Sequence, residues 1–155
     1  MKHQKGKESM AKHIRNMDKL SKALQPVMLG MVDELAERVY EILNYFLQEY
    51  YNSYDPKSYR RQFDFLRSAV KVEPHVKGNK VMASVYIDTD SLNNYYNATG
   101  KQVAQWANQG THGGLVTGSN TPRVWNDTMK ETLENGELLK LAAEYLRSHG
   151  ISVRS

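Results

Sequence analysis

Between residues 27 and 51, apolar side chains recur at helical spacing. Met28, Val32, Leu35, Val39, Ile42 and Phe46 step by four and three, and Met31, Leu43, Leu47 and Tyr50 widen the stripe. A stretch of this length and period is an amphipathic helix, and a face this broad is stable only when another surface covers it. The cover is either the domain's own core or a helix–helix seam between subunits.

Asp55-Pro56 ends the helix, because the residue before a proline is pushed out of the helical region. Residues 59–68, rich in Arg and aromatics, are expected to be irregular or a short turn of helix. Val70 and Val72 alternate in residues 69–74, and Val81, Ala83, Val85 and Ile87 alternate in 81–88. With Lys77-Gly78-Asn79-Lys80 between them, these segments predict a hairpin. The second strand's other face, Met82, Ser84, Tyr86 and Asp88, is mixed, so one sheet face is expected packed and the other half covered. Residues 89–121 are the least regular, with short helices expected at 92–96 and 103–107 and an exposed loop over 110–120. Thr121 and Pro122 predict a helix start, as N-cap and first helical residue. Trp125, Met129 and Leu133 share a face, and Asn135-Gly136 breaks or bends the helix. Leu138, Leu141, Ala142 and Tyr145 continue the stripe to a C-cap at Gly150, and Ile151 and Val153 suggest a short final strand. The order of elements predicts an α+β fold: a long N-terminal helix packed on a small antiparallel sheet, with a C-terminal helix.

At 155 residues the chain fits one domain. No apolar run is long enough to span a membrane, and no apolar stretch follows the basic start. A soluble protein with no membrane partner is therefore expected. The cysteine count of 0 excludes disulfides, thiolate metal sites and cysteine nucleophiles.

The net charge of +4 is unevenly placed: residues 1–22 hold seven basic and two acidic side chains, a net +5, and the remainder sums to −1. This divides the chain into a basic N-terminal arm, 1–24, and a globular core, 25–155. Ile14, Met17, Leu20 and Leu24 make the arm helical from about residue 10, and Pro26 predicts a kink or break near Gln25. In the long helix Asp33, Glu37 and Glu41 form one acidic row, with Glu34 beside it and Arg38 the only basic residue between 27 and 51. In a ring, each basic arm could lie on the acidic row of the next subunit. The alternative is a nucleic-acid-binding module that uses the arm for a DNA contact.

Motifs for chemistry are missing. His3, His13, His75, His112 and His149 include no pair at metal-binding helical spacing. His112-Gly113-Gly114 has no nucleophile elbow to serve, and no glycine-rich phosphate loop is present. Asp88 and Asp90 are expected to shape a turn. The reading is a non-enzyme with no catalytic, cofactor or metal residues. Tyr50, Tyr51, Tyr54, Tyr59, Arg60 and Arg61 instead cluster residue types that anchor interfaces.

The order of motifs resembles a known family. A long helix leads to Tyr50-Tyr51-Asn52-Ser53-Tyr54, then to Tyr59-Arg60-Arg61-Gln62-Phe63-Asp64-Phe65-Leu66-Arg67-Ser68. After the hairpin come Gly100, Val103, Trp106, Ala107, Gly110, His112, Gly113 and Gly114, and a helix led by Trp125 closes the chain. This is similar to the tail-component, or tail-completion, proteins of long-tailed bacteriophages and prophages. Tyr59, Arg61, Leu66 and Ser68 follow that family's Tyr-x-Arg-Thr-x-x-Leu-x-x-Ser segment, with Gln62 in place of Thr and Leu66 displaced by one position. The resemblance covers residues 40–153. It implies a non-catalytic virion protein at the head–tail junction, or neck, assembled in the host cytoplasm as a homo-oligomeric ring. Its implied partners are the connector or adaptor and the tail-tube or tail-terminator proteins. The interface residues expected are Asp33, Glu37, Glu41, Tyr54, Tyr59, Arg61, His112 and Trp125.

Overall fold

A computed structural model describes residues 17–54, 63–92, 98–112, 115–116 and 121–154. The fold is α+β. Helix α1 (Met17–Asn52) has 36 residues, about 54 Å at 1.5 Å per residue. It passes through Pro26 without a break, so the helix crosses the expected boundary between arm and core. Proline removes one hydrogen bond, to the carbonyl four residues earlier. Residues 19–24 and Pro26 are exposed, so water can take up the freed carbonyl.

Strands β1 (Ala69–Lys77) and β2 (Lys80–Ile87) form an antiparallel hairpin with Lys77 opposite Lys80. The two-residue loop places Gly78 at φ +61°, a region that costs other residues strain. The register shifts between Val72 and His75, where two residues of β1 oppose Ala83. Pro74 falls within this bulge, one of the few strand positions where a missing N–H costs no ladder bond. The register also resolves the two faces. Ala69 and Lys71 lie with Ile87 and Val85 toward α1, whereas Val70 and Val72 oppose Tyr86 and Ser84 on the outer face. Val72, Met82 and Tyr86 are exposed there.

Helix α2 (Gly100–Gln109) has a capping box not foreseen from sequence: Thr99 accepts from the Gln102 amide, and the Gln102 side chain accepts from the Thr99 amide. Gly110, at φ +71°, closes the helix. In place of an unbroken loop over 110–120, β3 (Thr111–His112) pairs antiparallel with β4 (Leu115–Val116). The final helix begins at Val124, not at Pro122. Asp127 accepts from the Arg123 amide at 2.9 Å, and Asn108 of α2 accepts from the Asn126 amide at 3.0 Å, the bond expected of Thr121. This helix, α3 (Val124–Met129), widens into a π turn over Lys130–Glu134. Thr128 and Thr132 are fully buried and donate to the carbonyls of Val124 and Thr128, each at 2.7 Å. Such back-bonding disturbs the helical ladder. Gly136, at φ +78°, separates the turn from α4 (Glu137–Ser148). Gly150 donates to the Arg147 carbonyl and Ile151 to the Leu146 carbonyl, the reciprocal pair of a Schellman cap. Residues 151–154 form no strand.

The core joins Leu43, Leu47, Tyr50 and Tyr51 of α1 to Phe65, Ala69, Ala107 and Val124. Phe65 belongs to a 3₁₀ turn, Phe65–Arg67. Val32, Leu35 and Val39 of the α1 stripe are only half-buried. The main core cluster is therefore built on the C-terminal half of α1; nearer its N-terminus Met31 and Ala36 are buried but Val32, Leu35 and Val39 are not.

Candidate interaction surfaces

The acidic row is partly satisfied within the chain. Lys71, on the inner face of β1, places Nζ 2.7 Å from Asp33 Oδ1 and 2.8 Å from Glu37 Oε2. Its side chain is only 13% exposed. The hydrogen bond to Asp33, followed by the one to Glu37, holds Lys71 well above the ordinary lysine range, against a smaller opposing effect of desolvation. Glu41 faces Arg38 at 3.7 Å, and Arg38 also reaches Glu137 of α4 at 3.6 Å. These longer contacts, between partly exposed groups, are worth about 0–1 kcal/mol each. Lys71 was not singled out from the sequence. Its signal was a lone charge between Val70 and Val72, at a position whose strand partner is Val85.

A second site joins the end of α1 to β3. The His112 ring stacks on Tyr50, with centroids 4.0 Å apart and planes at 16°, and on Tyr54 at 4.8 Å and 27°. The Tyr50 hydroxyl donates to the Thr111 carbonyl at 2.6 Å. Ser53 Oγ lies 3.2 Å from His112 Nε2 and donates to the Tyr50 carbonyl at 2.7 Å. A hydroxyl has one proton, so with that proton on the carbonyl, Nε2–H is the donor toward Ser53. In this arrangement the imidazole does not act as a base toward the hydroxyl. The group fastens β3 to α1 through stacked rings. Tyr54 and His112, separated in sequence, thus meet at one site. Tyr59 and Arg61 lie outside the described residues.

Trp125 marks a third surface. It packs against the core and, with Val32, Leu35, Val39, Val85 and Leu133, lines an open apolar groove of about 240 Å³. Leu133 is 50% exposed at its edge. At the far end of α1, Leu20 and Leu24 are also exposed, at 41% and 36%. Asp88 is a turn former: its side chain accepts from the Ser91 amide at 3.3 Å and its carbonyl from the Ser91 hydroxyl at 3.1 Å. Among the described residues, no helix is long and apolar enough to cross a membrane.

The expected interface residues thus fall on three separate surfaces: Asp33, Glu37 and Glu41 along α1, the first two beside β1, Tyr54 and His112 at its C-terminal end, and Trp125 in the groove. A family model described as YomN matches residues 16–148. No curated protein and no solved structure matches the chain.

Proposed function

The chain belongs to the YomN family, a phage-associated family, and from that premise we propose that it is a structural virion subunit of the head–tail junction. In this reading it is a tail-completion or neck protein that assembles as a homo-oligomeric ring and performs no chemistry. Its other partners are the connector or adaptor on one side and the tail-tube or tail-terminator proteins on the other. The observation that carries the reading is the apolar surface left uncovered at two unlike places. Leu20 and Leu24 are exposed on the first turns of α1, and the groove beside Trp125 is open. Two unlike surfaces that both need cover favour a head-to-tail contact, which yields a ring where the rotation closes. The test is gold labelling of particles of the encoding phage with an antibody to this chain. Gold at the head–tail junction is expected; gold on the capsid shell or spread along the tail refutes the placement.

The net +5 of residues 1–22 favours one other reading, a nucleic-acid contact through the arm. Backbone neutralisation by lysines is strongly salt-dependent. That reading expects duplex DNA binding that falls steeply with salt and vanishes on deletion of residues 1–22.

A further inference from the structure

We infer that the groove beside Trp125 receives the N-terminal turns of α1 from a neighbouring copy, with Leu20 and Leu24 entering it. The inference rests on the ring reading and gives that assembly its contact. Leu20 and Leu24 are four residues apart, so they stack on one helical face, and both are exposed. Their own groove is beyond their reach. Val32 lines it and lies eight residues along the same continuous helix from Leu24, about 12 Å away. A rigid helix cannot fold its first turns back onto its own middle, so the occupant has to come from another copy.

Size and charge fit this occupant. The groove, at about 240 Å³, exceeds the roughly 150 Å³ that accommodates a benzene ring in an apolar cavity. The lining is apolar, and acidic residues flank it in sequence. Glu34 adjoins Leu35, and Glu131 and Glu134 adjoin Thr132 and Leu133; all three are exposed. The incoming arm carries Lys19 and Lys22 beside the two leucines and is +5 over residues 1–22. A basic segment with an apolar stripe is the complement of an apolar groove flanked by acidic residues. Lys71 already pairs with Asp33 and Glu37, and Arg38 with Glu41 and Glu137. That row is therefore the weaker seat for a basic arm, and the groove, flanked by Glu34, Glu131 and Glu134, is the stronger.

The absence of cysteine allows a direct test. Full-length Leu24→Cys and Leu133→Cys proteins are purified separately, mixed and exposed to a mild oxidant. Because each copy carries one thiol, a mixed disulfide dimer can arise only between copies. The expected result is an L24C–L133C heterodimer that forms faster than an L24C–Y86C heterodimer, since Tyr86 lies on the outer sheet face. The Leu20→Asp, Leu24→Asp double variant is expected to keep its melting temperature and to need about a hundredfold or more higher concentration to assemble. Preferential coupling of L24C to Y86C, or unchanged assembly of the double aspartate variant, overturns the groove contact and leaves the ring standing. A wild-type chain that stays monomeric at every concentration overturns both.

Discussion

Gly30→Ala is the sharpest single test of how the helices pack. Gly30 lies where α1 meets α4. A Cβ at that position would land on the Tyr145 hydroxyl, with Tyr145 Cζ at 3.1 Å. The ring stacks on His149 at 4.2 Å and 19°, so displacing it disturbs that contact. In an exposed helix, glycine to alanine gains about 1 kcal/mol. Here the ring must be displaced, and overpacking of this kind costs about 1–3 kcal/mol. The net expectation is a loss of up to about 2 kcal/mol, or up to about 8 °C in melting temperature for a chain of this size. Tyr145→Phe removes the clashing atom, so in that background the same substitution should be neutral or stabilising by up to about 1 kcal/mol. The assay is a double-mutant cycle by urea unfolding at fixed protein concentration, with an expected coupling of about 1–3 kcal/mol. Additivity within about 0.5 kcal/mol, or a stabilising Gly30→Ala in the Tyr145 background, would refute the α1–α4 contact.

Gly100→Ala places a Cβ against the Thr89 carbonyl and 2.7 Å from Leu92 Cβ; backbone cannot yield as a side chain can, so a loss of about 1–3 kcal/mol is expected in urea unfolding. Lys71→Met leaves Asp33 and Glu37 without their shared partner, and Asp33→Asn in the same chain should recover part of the lost urea midpoint. The folded pKa of Lys71 is raised, so its contribution is complete below the ordinary lysine value of 10.5 and disappears as pH climbs through the raised value. Wild type and Lys71→Met should therefore differ equally at pH 6 and pH 9, and a gap that closes between them contradicts the pairing. His112→Ala removes two stacked contacts worth about 0.5–1.5 kcal/mol each, and should speed hydrogen exchange at residues 111–112 more than at the core of α1; uniform exchange would show that the rings do not hold β3.

Element identity was legible where the period was long. The α1 stripe and the alternation of β2 each locate an element, because both repeats are enforced by burial of one face. Boundaries failed where a local hydrogen bond decided them. Asn108 of α2 takes up a first-turn amide of α3 and Asp127 holds the Arg123 amide, and no property of Thr121-Pro122 reveals that competition. Pro26 removes a helical hydrogen bond wherever it stands, and the exposure along residues 19–24 that lets water satisfy the freed carbonyl is a tertiary fact. Among the expected interface residues, the acidic row was visible as a spacing, but its partner Lys71 lies on a distant strand whose register is set by the bulge at Pro74. The meeting of Tyr54 with His112 depends on β3 returning to the end of α1, and no short-range pattern encodes that return. The groove is legible only in retrospect: Met31 and Ala36 are buried, yet the equally apolar Val32, Leu35 and Val39 beside them are left half-buried.

The central claim is that this chain assembles with itself into a closed ring. Sedimentation velocity of the full-length protein across a range of concentrations, with negative-stain imaging of the largest species, tests it most directly. The account predicts a discrete oligomer that images as a ring and falls apart as salt is raised, because the arm and the residues flanking the groove carry opposite charge. A monomer at all concentrations and at low salt would contradict it, as would open filaments with no closed form.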